Sequence, residues 1–150
     1  MQAFLEKVEL QLNHVQVMVR GMYAVAQCDG VHPTELVLLK EFYEGCRASV
    51  EGLASFDEVV EGEVEVAAMR DILDSTALRE MFLKSCLLLA FADGVFSDCE
   101  RAKLRDFASA LDVDDERRAQ LEDEVRDHLL KQIAHLQNLD ALREVAKEMG

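Results

Sequence analysis

The chain is short of the residues that make turns, with one proline and seven glycines in 150 residues. That leaves little material for an all-β chain with many tight reversals, so helix is the expected structure throughout. Basic charge is scarce as well. Sixteen Lys and Arg stand against thirty Asp and Glu, a net charge of −14, and no Lys/Arg cluster stands out against that field. Such a surface repels a phosphate backbone and an anionic membrane alike, which argues against nucleic acid and leaves cations or a protein partner with a basic face. Long apolar runs are missing too. The uncharged stretch from Ser85 to Ala92 is far too short to span a bilayer, so no direct membrane insertion is expected. Near the start, Glu6, Lys7 and Glu9 stand where a signal peptide needs an apolar run, which points to the cytoplasm. Cys28, Cys46, Cys86 and Cys99 form no CxxC pair. Small buried thiols in a reducing compartment are the expectation, with zinc or a disulfide as the alternatives.

What is present reads as one globular domain. Half the residues are hydrophobic and 31% are charged, a balance that folds. From Ala3 to Cys28 the apolar positions Phe4, Val8, Leu12, Val15, Val19, Met22 and Ala26 step by three or four, the helical period, with Gly21 as a possible kink. Asp29-Gly30 ends this helix, and Pro33 opens the next, carrying Leu36, Leu39, Phe42 and Tyr43 inward to about Ala48. Ser55-x-x-Glu58 is a capping box for a short helix closed by Gly62, and another helix lies within Val64 to Leu73. From Thr76 to Ala92 runs a helix that is apolar almost all round over Cys86–Ala92, which places it at the centre of a bundle. It ends at Asp93-Gly94, and a second capping box, Ser97-x-x-Glu100, starts a helix with Ala102, Leu104, Phe107, Ala108 and Leu111. The rest is expected as one helix from about Asp115 to His135 and a short one to the end. Its stripe of Leu121, Val125, Leu129, Ile133 and Leu136 should pack on the domain's own core.

The two Asp-Gly corners belong to an internal repeat. Met22–Val31 aligns with Cys86–Val95 and His32–Tyr43 with Ser97–Ala108, leaving Phe96 as an insertion. Seven of twenty-two pairs are identical: Ala26/Ala90, Asp29/Asp93, Gly30/Gly94, Val31/Val95, Glu35/Glu100, Leu39/Leu104 and Phe42/Phe107. They fall on the turn, the cap and the core face together, as a shared helix–corner–helix unit requires. The units span about residues 18–48 and 82–111, with a C-terminal extension over about 115–150.

The corners admit two readings. Glu35 and Glu100 suit the third helical position, where a carboxylate is favoured by the helix N-terminus. Asp29 and Asp93 sit at helix C-termini, where the dipole opposes them by about 0.3–1 kcal/mol. The free N–H groups of the next helix can compensate them, which makes the corners purely structural. A cation can do it instead: if the units pack about a pseudo-twofold axis, Asp29, Glu35, Asp93 and Glu100 converge as four oxygen donors. That set suits Mg²⁺, Ca²⁺ or Mn²⁺, and His32 beside one corner could admit Zn²⁺. An EF-hand is excluded, because its acidic positions hold Val25 and Gln27, or Leu89 and Phe91. Glu124 and His128 lie one turn apart and could chelate a metal, but a solvated helix face is the expected reading. Four carboxylates could serve acid–base chemistry, yet no residue pattern names a substrate, so a metal-dependent hydrolase is a remote third reading.

A-x-x-D-G-V followed by Glu and a helix, present twice, resembles the TerB-like family of tellurite-resistance and related bacterial proteins. The likeness runs from about Met18 to Asp114 and is closest in ADGVFSDCERAKLRDFASALDVD. The unequal spacing, Glu six residues after the first Asp and seven after the second, is similar to the family's. The resemblance implies a compact all-helical domain, a divalent-metal site of acidic residues, a stress-response link and no established catalysis. The first copy departs from it with Cys28, His32 and Pro33 around its corner. The expected function is a small metal-binding adaptor acting through protein contacts; the alternative is an interaction module without metal.

Overall fold

The computed structural model describes residues 10–30, 33–63, 65–92 and 96–149. Every regular element among them is helical, and none is a strand. The order is α1 (Leu12–Ala26), a single 3₁₀ turn (Gln27–Asp29), α2 (Pro33–Ser49), α3 (Phe56–Glu61), α4 (Val66–Ile72), α5 (Thr76–Ala90), α6 (Asp98–Ala110) and α7 (Asp115–Met149).

α5 takes the centre because its C-terminal half, from Ser85 to Ala90, has no charged side to show. Leu78, Phe82, Leu83, Ser85, Cys86, Leu87, Leu88, Leu89 and Ala90 are all buried, and α1, α2, α6 and α7 pack around it. Ser75 starts α5 by accepting from the Leu78 amide at 3.2 Å, and Ser55 starts α3 by accepting from Glu58 at 3.3 Å. Asp114 does the same for α7, its Oδ1 accepting from the Arg117 amide at 2.7 Å. Each contact satisfies a donor that the first helical turn leaves open.

α1 runs unbroken through Gly21. The glycine serves packing instead. A Cβ there would lie 2.5 Å from Cζ of Phe82, a ring with no exposed surface. α1 and α5 therefore approach through a notch that only hydrogen fits. Gly62 does similar work at the end of α3. A Cβ there would meet the Arg20 guanidinium at 2.5 Å, and Arg20 Nε donates to the Val59 carbonyl at 2.9 Å.

α7 departs from expectation in two ways. It is one helix to Met149 rather than two, since no glycine or proline interrupts residues 115–149. And its stripe packs on the body only in part. Leu121 and Val125 are fully buried and Leu129 joins the core edge, but Leu130, Ile133, Leu136, Leu139, Leu142 and Val145 are 36–64% exposed. The physical reason is length: at about 1.5 Å per residue, α7 is roughly 52 Å long and α5 roughly 22 Å, so the body ends before the helix does. Ala102, expected on the core face of α6, is also exposed.

Ion pairs fasten the proximal part of α7. Arg117 grips Glu80 of α5 with two hydrogen bonds, Nη2 to Oε1 at 2.7 Å and Nε to Oε2 at 2.8 Å. That contact holds the Glu80 carboxyl below its ordinary range. The buried Glu122 accepts from Arg101 of α6 at 3.0 Å and from Arg126 at 3.1 Å.

Candidate functional site

The first corner is built by the 3₁₀ turn over Gln27–Asp29 and by Gly30, whose φ of +84° an L side chain rarely adopts. Among the described residues no atom lies within 4 Å of a Cβ at Gly30, so backbone conformation is what selects glycine there. α2 begins at Pro33, as expected, which makes Glu35 its third residue. Val31 and His32 lie outside the described residues. At the second corner Asp93, Gly94 and Val95 lie outside them as well, and the chain is described again from Phe96.

Two of the four expected ligands are therefore placed with their side chains. Glu35 is 1% exposed and Glu100 4%. Glu100 completes its expected capping box: Oε1 accepts from the Ser97 amide at 3.2 Å, while Ser97 Oγ accepts from the Glu100 amide at 3.1 Å. This carboxylate has a structural task whether or not a cation is near. Asp29 is placed by its backbone in the 3₁₀ turn, and Asp93 is not described. Among the described residues no group of three or more His, Cys, Asp or Glu is arranged to hold a metal ion. Where both copies of an identical repeat pair are described with their side chains, both are buried: Ala26/Ala90, Glu35/Glu100, Leu39/Leu104 and Phe42/Phe107.

The cysteines correct the sequence reading. Cys46 and Cys86 are buried thiols, as expected. Burial pushes the Cys46 thiol up to about 11 and Cys86 higher still. Cys28 and Cys99, however, are joined in a disulfide across 71 positions, their Cα atoms 5.8 Å apart. Spacing could not show this, because one partner closes the first corner and the other opens α6 in the opposite half. The bond holds the 3₁₀ turn that contains Asp29 against the helical turn that contains Glu100. It also removes the support that reduced thiols lent to a cytoplasmic location.

Sequence reasoning missed a cluster around the second corner. The Phe91 and Phe96 rings bracket it with centroids 5.0 Å apart. Arg101 lies over Phe96 at 4.3 Å and Arg126 over Phe91 at 5.6 Å. Glu122 binds both guanidiniums. Phe91 and Phe96 are thereby connected to α7 through side chains, and the one sequence signal was this pair of aromatics flanking Asp-Gly. Glu124 lies exposed on α7, as a solvated helix face requires, and contacts Lys84 at 3.5 Å and Arg117 at 3.4 Å.

No described helix is long and apolar enough to cross a membrane. Comparison of the chain with family models, with characterised proteins and with solved structures finds no match.

Proposed function

We propose that this chain is a small, acidic, non-enzymatic adaptor that acts through protein contacts, with the distal half of α7 as its contact element. One observation carries the reading: six large apolar side chains, from Leu130 to Val145, stand exposed on a helix whose proximal half is firmly anchored. Scattered single exposures are ordinary, but a continuous apolar surface is what partner-binding elements present. A photo-reactive side chain replacing Leu136 should therefore capture protein in the cell.

A second reading, a divalent cation held at the corners, is supported by the burial of both Glu35 and Glu100 and by the disulfide that holds the 3₁₀ turn against the start of α6. The TerB-like likeness and its link to stress or tellurite response belong to this reading and rest on the same residues. Ca²⁺, Mg²⁺, Mn²⁺ or Zn²⁺ binding only the folded state would stabilise it by about 2.7 kcal/mol at a hundredfold excess over Kd. The melting temperature should then rise beyond the effect of matched ionic strength, and Asp29→Asn with Asp93→Asn should abolish the rise. A melt that ignores these ions and tolerates both substitutions leaves the corners as caps.

A further inference from the structure

The Cys28–Cys99 bond and the remaining two cysteines differ in access. Cys99 is exposed and Cys28 half-buried, whereas Cys46 and Cys86 are thiols that burial keeps protonated. Exposed disulfides are the ones that exchange with external thiols, and structural buried thiols are inert. Exchange in this chain is therefore confined to one pair, with the other two sulfurs shut inside the core.

The bond joins two pieces that lie at the edge of the packing. On one side is the 3₁₀ turn, closed by the Gly30 amide donating to the Gln27 carbonyl at 3.2 Å. On the other is the first turn of α6, where Cys99 is the second residue after the Ser97 cap. The core holds the halves together without it: Leu39, Phe42, Leu104 and Phe107 are buried, and α1 packs against both α5 and α6. Opening the bond thus unties the corner and leaves the bundle folded. It also leaves the sulfurs ready to close again. Cys99 Sγ lies 3.4 Å from the Cys28 carbonyl oxygen, so a reduced Cys99 thiol finds an acceptor without moving. The open amides of the first turn of α6 favour a Cys99 thiolate, while the exposed Asp98 beside it opposes one.

We propose that Cys28–Cys99 is a reversible redox switch, opened by a dithiol reductant and closed by a disulfide oxidant, whose state sets the freedom of the first corner. A reductant thiolate attacks Cys99 Sγ, the exposed sulfur. The bond between the two protein sulfurs breaks, and its electron pair leaves on Cys28 Sγ, which takes a proton. The second thiolate of the reductant then attacks the reductant's own sulfur in the mixed disulfide and expels Cys99 as a thiolate, which is protonated in turn. Two electrons and two protons pass to the protein, and the dithiol becomes a disulfide. Neither the α7 arm nor a corner cation takes part, so the switch stands apart from both readings of function.

The test holds the native full chain, without denaturant, in buffers of graded reduced and oxidised dithiothreitol. Two fast thiols should appear and disappear reversibly in a single two-electron transition, with the helical circular dichroism unchanged at both ends. Backbone order parameters at residues 27–30 should fall on reduction from about 0.85, the rigid value, to below about 0.6, while those of α5 stay near 0.85. Cys28→Ser should show the loosened corner in every buffer, which separates loss of the bond from any effect of the reductant. A bond that resists millimolar dithiol until the chain unfolds is a fixed staple and overturns the proposal. Reduction that melts the helices, or a corner as rigid reduced as oxidised, overturns it equally.

Discussion

Reducing the Cys28–Cys99 bond lowers the stability of the fold by about 2–4 kcal/mol, which for a chain of this size takes roughly 10 °C off the melting temperature. The bond spans 71 positions, and a loop that long, left open, adds much conformational freedom to the unfolded chain. Cys28→Ser should melt like the reduced protein and should no longer respond to reductant. Thiol counting gives an independent check. Cys46 and Cys86 are buried, with thiols pushed to about 11 and above, so a thiol reagent should label nothing quickly in the oxidised native protein. Two fast thiols should appear on reduction. A melting temperature that ignores reductant, with two fast thiols already present, would show that the clamp does not form.

Phe82→Ala should cost about 3–5 kcal/mol, the loss expected when a buried aromatic side chain leaves a cavity. Phe82 is fully buried and touches Phe107 with ring centroids 5.5 Å apart. Its role in the α1–α5 contact gives the prediction a sharper form. Gly21→Ala alone should destabilise by about 1–3 kcal/mol, because the new methyl overlaps a ring that has nowhere to move. In the Phe82→Ala background the same substitution should stabilise by up to about 1 kcal/mol, since the obstacle is gone and only helix propensity remains. Chemical denaturation of the four proteins reads the reversal directly. If Gly21→Ala has the same sign in both backgrounds, the notch does not explain the glycine.

The sequence made much of the fold legible where local chemistry and burial agree. The Cys86–Ala90 stretch of α5 is apolar almost all round and is buried; Ser97 and Ser55 cap the helices that follow them. Gly21 misled because helix propensity describes a residue alone, while its reason for being glycine lies 61 positions away in Phe82. The disulfide misled for the same reason: Cys28 and Cys99 become neighbours only after the two halves are folded. At the corners, the capping role of Glu100 was readable from Ser97-x-x-Glu100, whereas convergence of Asp29 and Asp93 depends on the packing of the halves. On α7 the steps of four from Leu121 to Ile133 suggested a core stripe. Where that stripe loses its cover depends on where the body ends, which the packing of the other helices sets and the pattern on α7 does not show.

The adaptor reading is tested most directly by photo-cross-linking from Leu136 in the cell, with Arg105, an exposed residue on α6, as the control position. The account predicts a discrete protein adduct from Leu136 and none from Arg105. No adduct from Leu136, or the same adducts from both positions, would contradict it.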